Sequence, residues 1–206
     1  MISSRLLRVD PLHPQESIVK EAAGVLLKGG LVAFPTETFY GLGANALDPL
    51  AVRRIFDVKG RSESKPLLVL VDSVRMAESL VAEIPGAALP LMARYWPGPL
   101  TLIFRAAARL PEEVTAATGT IGIRMSGHPV AFELVRAAGV LITAPSANLS
   151  GEEPPITAAD VDRALRDKID LLLDGGPTTG GLPSTILDVT VTPAKVIRRG
   201  ALELPE

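Results

Sequence analysis

Short apolar runs recur along this chain, each parted from the next by a helical pattern or by a joint rich in glycine and proline. Residues 31–34, 66–71, 140–143 and 169–173 carry almost no polar side chain. A strand open to water on one face alternates apolar with polar residues, so runs as continuous as these need cover on both faces. Between them, residues 17–28 place Ile18, Val19, Ala22, Val25 and Leu26 on one side at helical spacing, and Gly29-Gly30 ends the helix. Asp48-Pro49 supplies an N-cap and first turn for a helix reaching about residue 58. Helical patterns also cover 73–84, 86–95, 129–138 and 156–167, the last capped by Thr157. Further strands are predicted at 99–104, 120–124, 185–189 and 195–197. The alternation predicts one α/β domain over 1–206, with a mixed, twisted sheet and flanking helices. No repeat or linker divides the chain, and the glycine-rich stretch 175–183 is its first candidate for a flexible loop.

Composition narrows the function classes. The net charge of −2 argues against broad attraction to nucleic acid or an anionic membrane, while leaving room for a local basic cleft. The chain has no cysteine, which removes thiol nucleophiles, disulfides and zinc-thiolate sites together and fits a reducing compartment. No apolar run reaches the roughly 18 residues of a membrane-spanning helix, and the first fourteen residues lack a signal-peptide core. The expected location is therefore the cytoplasm. The two histidines, His13 and His128, form no ligand pair, so no metal site is predicted. The glycines of Gly41-Leu42-Gly43-Ala44-Asn45-Ala46 match a dinucleotide-binding turn in spacing only. Residues 35–40 intervene after the strand, and the helix signal waits until Asp48. Neither a phosphate-loop motif nor a G-x-S-x-G elbow is present.

The remaining signal is a set of cations and short polar side chains at strand ends. Lys59-Gly60-Arg61 follows a helix and precedes the strand at 66–71, with Lys65 close behind. Arg124 closes an apolar strand that opens on Thr120, where a buried guanidinium needs a partner or a ligand carboxylate. Ser146 and Asn148 follow the strand at 140–143; Thr36 follows Pro35; Ser184 precedes one late strand and Arg198 follows another. Each has an ordinary structural reading. Cations at 59 and 61 complement a helix C-terminus, and Ser146-Ala147-Asn148 caps a turn. Together they have the donors that a phosphate-rich or carboxylate ligand requires.

These residues carry a resemblance. Phe34-Pro35-Thr36-Glu37-Thr38, Tyr40-Gly41-Leu42, Lys59-x-Arg61, Trp96-Pro97-Gly98-Pro99-Leu100-Thr101, Arg124 with His128-Pro129, Ala144-Pro145-Ser146-Ala147-Asn148, Ser184-Thr185-Ile186 and Arg198 stand in one order. In that order the chain resembles the YrdC-like family of threonylcarbamoyl-AMP synthases, in its short single-domain form, from about residue 29 to 200. The resemblance implies a nucleotidyltransferase that makes threonylcarbamoyl-AMP and pyrophosphate from L-threonine, bicarbonate or CO2, and ATP accompanied by Mg2+. It implies a separate transferase that passes the threonylcarbamoyl group to the tRNA adenosine beside the anticodon, and at most a weak tRNA contact here. It assigns Lys59, Arg61, Thr120, Ser146, Asn148 and Arg198 to ATP, with Lys59 and Arg61 central to catalysis, and Lys65 as a looser match. Arg124, Thr36 and Ser184 fall to threonine.

Two positions depart from the pattern: Leu70, where some relatives carry histidine, and Ser126, where some carry proline. The alternatives are an RNA-binding module of the same fold, a carbamoyl-adenylating enzyme of the hydrogenase-maturation type, and a sensor that binds ATP or threonine without turnover. All the site assignments require the scattered cations and hydroxyls to converge on one hollow.

Overall fold

The computed structural model describes residues 5–64 and 66–204. In chain order the elements are β1 (Arg5–Arg8), α1 (Glu16–Leu27), β2 (Val32–Pro35), β3 (Tyr40–Gly43), α2 (Pro49–Lys59) and β4 (Leu68–Leu70). Then follow α3 (Val74–Glu78), α4 (Ala88–Tyr95), β5 (Leu100–Arg105), α5 (Glu112–Thr115), β6 (Thr120–Arg124), α6 (Pro129–Ala138) and β7 (Ile142–Thr143). The last are α7 (Ala158–Leu165), β8 (Leu171–Asp174), β9 (Thr185–Asp188) and β10 (Lys195–Arg198).

The α/β class is as predicted, with two mixed sheets in place of one. The smaller runs β1-β8-β2-β3 and the larger β10-β9-β5-β6-β4-β7. They meet where β3 approaches β7, and the Thr143 side chain explains the break. Its hydroxyl accepts from the Ala44 N–H at 2.9 Å and donates to the Leu42 carbonyl at 3.1 Å. A side chain thus takes up backbone groups that a continuous ladder would have used. Isolated bridges Gly41↔Ser146 and Asn45↔Ile142 complete the seam.

Three elements were not predicted. β1 is polar at both ends and mostly exposed, so it shows no buried-strand pattern. β3 shows no strand signal because two of its four residues are glycine, and α5 is a single turn. The helix expected over 73–84 is limited to Val74–Glu78, capped by the Ser73 hydroxyl.

Helix α1 buries Val19, Ala22, Ala23 and Leu26, a spacing of three, four and seven. That face packs with Val130, Ala131, Leu134 and Val135 of α6 against the smaller sheet. The larger sheet turns Leu100, Leu102, Phe104, Ile121 and Ile123 into a second core shared with Val52, Ile55 and Phe56 of α2. Because side chains alternate across a strand, the other face presents Thr101, Ile103, Gly122, Arg124 and Ile186. Their registers are Ile103↔Gly122, Thr101↔Ile186 and Arg198↔Ile186. One face of this sheet makes core and the other makes a site.

Candidate active site

The second face floors a cavity of about 480 Å3, within the roughly 300–1,000 Å3 usual for small-molecule sites. Its walls are the β2–β3 turn (Thr36, Thr38), the segment Ala144-Pro145-Ser146 and the stretch around Gly181 and Pro183. Six of the nine predicted site residues line it: Thr36, Arg61, Arg124, Ser146, Ser184 and Arg198. Lys59, Thr120 and Asn148 do not. Lys65 lies outside the described residues.

Arg61 is placed by a helix end. Asp48 caps α2, accepting from the N–H groups of Leu50 and Ala51, and Gly60 stops it at φ +57°. That left-handed turn is open to glycine and strained for other residues, and it swings Arg61 away from the helix axis. Arg61 Nη2 donates to the Pro66 carbonyl at 3.1 Å, while its Nε is buried without a partner. Burial pushes its pKa down.

Arg124 ends β6 and is 3% exposed. Its Nε also lacks a hydrogen bond and faces Glu37 Oε1, itself unpartnered, at 3.8 Å. Burial lowers the Arg124 pKa, and the Glu37 charge opposes that shift. Arg198, on β10, grips Ser184 with Nε and Nη2 on the carbonyl, at 3.0 and 2.8 Å, and Nη2 on Oγ at 3.1 Å. Gly200 makes this docking possible, since a Cβ there would lie 2.1 Å from the Pro183 carbonyl oxygen. Burial, and then the charge of Arg124, lower the Arg198 pKa. Three guanidinium groups therefore share one hollow, two of them close enough to repel. Such an arrangement favours an anionic occupant.

The hydroxyls divide into spent and free. Thr36 Oγ1 donates to the Phe39 carbonyl at 2.7 Å and accepts from the Thr38 N–H, so it holds its own turn. Thr101 Oγ1 and Ser184 Oγ pair at 2.9 Å. Only one of their two hydrogens fits between them, and Arg198 is a donor, so one hydroxyl hydrogen remains for a ligand. Thr101 closes the Trp96–Thr101 motif, and nothing local in the sequence marks it as a ligand donor. It stands beside Ser184 only because β5 pairs with β9.

Lys59 is 3% exposed and sits behind the wall. Its Nζ donates to the carbonyls of Ser146 and Asn148 at 2.5 and 2.6 Å, and its own carbonyl accepts from the Ser150 N–H. Burial first, and the neighbouring Arg61 charge second, bring its pKa down to about 8. Asn148 spends both amide hydrogens on the carbonyls of Leu149 and Glu152. Thr120 lies at the opposite end of β6 from Arg124, its hydroxyl paired with that of Thr118 at 2.9 Å.

A mixed α/β fold with a concave hollow lined by three arginines is suited to an anionic ligand. The family model for Sua5, yciO and yrdC, described by the phrase "Telomere recombination", matches residues 24–200. The chain belongs to this family. It is 44% identical to the threonylcarbamoyl-AMP synthase of Pyrococcus abyssi over 93% of its length, and 42% identical to that of Bacillus subtilis over 94%. It spans 56% of each of those relatives. A threonylcarbamoyl-AMP synthase of Thiobacillus denitrificans is 35% identical over 84% of this chain and 90% of its own. The crystal structure of P. abyssi Sua5 complexed with L-threonine superposes with a TM-score of 0.94 at 42% identity, over 97% of this chain and 58% of that one. E. coli YciO superposes at 0.89 with 25% identity, over 97% of both chains. Among the described residues, no helix is long and apolar enough to cross a membrane.

Proposed function

We propose that this chain is a single catalytic domain that makes threonylcarbamoyl-AMP and pyrophosphate from L-threonine, bicarbonate or CO2, and ATP. The observation that carries the reading is the convergence of Arg61, Arg124 and Arg198 on one cavity. The relatives' names and the threonine complex of a 42%-identical neighbour support it.

The chemistry asks little of a side-chain base and much of positioning. The threonine amine takes up CO2 as a carbamate; a carbamate oxygen attacks the α-phosphorus of ATP; pyrophosphate leaves. A carboxylate, a carbamate and a triphosphate must share a small volume, so charge neutralisation and orientation are the protein's main contributions. Arg124 takes the threonine carboxylate in a two-pronged grip. Arg61 and Arg198 face the phosphates, and Ser146 donates to a phosphate oxygen. Lys59 adds its charge from behind and fixes the Ser146–Asn148 turn. The free hydrogen of the Thr101–Ser184 pair meets the threonine side chain. Thr120, on the same face of β6, meets the ribose beyond the cavity rim. Mg2+ enters with ATP as part of the substrate. The product passes to a transferase that modifies tRNA in the cytoplasm. The RNA-binding alternative gains nothing from a small hollow in a chain of net charge −2.

Pyrophosphate release is measured with ATP and bicarbonate, with and without L-threonine. The expected result is release that requires threonine and tolerates no simple apolar amino acid in its place. Release indifferent to threonine rejects the substrate assignment.

A further inference from the structure

We propose that Glu37 and Ser126 are positioning residues for Arg124, together setting which edge of its guanidinium meets the cavity. The inference rests on the reading that Arg124 grips the substrate carboxylate, and adds what holds that grip in place.

A guanidinium offers two edges for a bidentate bond, Nε with one Nη, or the two Nη nitrogens. Arg124 lines the cavity, yet its Nε is fully buried and turned to Glu37 Oε1 at 3.8 Å. What it presents to the cavity is therefore its Nη end. Arg198 shows the opposite use, spending Nε and Nη2 on Ser184. Glu37 does not line the cavity and stands behind Arg124 as its counter-charge.

The Glu37 carboxylate is itself fixed. Its second oxygen, Oε2, accepts from the Ser126 hydroxyl. The direction of that bond follows from Ser126's other partner: Ser126 Oγ accepts from the His128 N–H at 3.2 Å, so its single hydrogen is free to go to Glu37. The Glu37 backbone is pinned as well, its carbonyl accepting from Thr179 Oγ1 at 2.5 Å. His128 does not compete as a second cation. Its Nδ1 accepts from the Val130 N–H, and burial lowers its pKa against the pull of Glu37. The carboxylate's charge is thus directed at Arg124. Ser126 thus contributes through its hydroxyl, which joins the carboxylate to the start of α6.

The test compares Glu37→Gln, Ser126→Ala, Ser126→Thr and Arg124→Lys for L-threonine affinity by calorimetry, and for the KM of threonine and of ATP. Glu37→Gln keeps the shape and the Ser126 contact but removes the counter-charge. It should weaken threonine roughly tenfold or more while ATP KM moves less than about threefold. Ser126→Ala should act in the same direction, about three- to tenfold, and Ser126→Thr should restore most of the loss. In a Glu37→Gln background, Ser126→Ala should have little further effect, because it acts through the carboxylate. Equal shifts in threonine and ATP, or additive effects of the two substitutions, overturn the inference while leaving the Arg124 grip intact, provided Arg124→Lys still weakens threonine. If Arg124→Lys leaves threonine affinity unchanged, the grip and the inference fall together.

Discussion

Replacing Arg124 with methionine is expected to cut threonine-dependent pyrophosphate release by roughly 10²- to 10³-fold while lowering unfolding free energy by no more than about 3 kcal/mol, so that the protein stays folded. The asymmetry follows from how poorly this cation is satisfied. It is 3% exposed, its Nε has no hydrogen bond, its one ion pair is 3.8 Å long, and Arg198 opposes it. A buried charge with so little return contributes little to stability, and methionine fills much of the same volume. What cost there is comes from Glu37, whose Oε2 keeps the Ser126 hydroxyl while its buried Oε1 loses the cation it faces. Turnover and urea unfolding measured on one preparation decide the matter. A variant that retains activity removes Arg124 from the site, and one that unfolds makes it a structural residue.

Lys59→Met is expected to behave differently from Arg61→Met. From sequence the two cations were a pair, equal in role. The structure parts them. Lys59 donates to two loop carbonyls, and methionine would leave both without that donor. Loss of about 1–3 kcal/mol of stability should accompany the loss of activity. Among the described residues the Arg61 side chain makes one hydrogen bond, to the Pro66 carbonyl, so its replacement should cost under about 1 kcal/mol and still suppress turnover.

The pH dependence separates them further. Lys59 titrates near 8 when folded and near the ordinary 10.5 when unfolded. Between those values the unfolded chain holds the extra proton, so this group's contribution to stability rises with pH across that window. Over the same window its charge is lost, and with it the help proposed for phosphate binding. Parent stability should therefore climb relative to Lys59→Met from pH 8 to 10 as activity falls. A difference between the two proteins that stays flat over this window contradicts the assigned titration.

How far the sequence could be read depends on which interactions a residue obeys. Local ones were legible. The spacing of Val19, Ala22, Ala23 and Leu26 gave α1, and Asp48-Pro49 with Gly60 bounded α2. Buried runs gave β2 and β8. β3 was missed because Tyr40-Gly41-Leu42-Gly43 is held by pairing with β2, which lies beyond any local preference of two glycines. The two-sheet division was missed for a related reason: it turns on Thr143 reaching backbone groups a hundred residues away in sequence.

In the site, strand-end cations could be picked out, yet their roles could not be told apart. Lys59 and Arg61 are two residues from each other, and only the fold shows that one faces a cavity and the other faces a loop. The partners of Thr101, Glu37 and Ser126 lie on strands and turns remote in the chain, so their roles are not legible locally. Asn148, chosen as a ligand donor, turns both its amide hydrogens inward to brace the turn.

One measurement bears most directly on the central claim that a single hollow collects both an amino-acid carboxylate and a nucleoside triphosphate. A crystal structure of the protein with L-threonine and a non-hydrolysable ATP analogue should place the carboxylate within about 3 Å of the Arg124 Nη nitrogens. It should place the phosphates between Arg61 and Arg198, beside Ser146. Threonine bound away from Arg124, or phosphates held outside the cavity, would contradict the account.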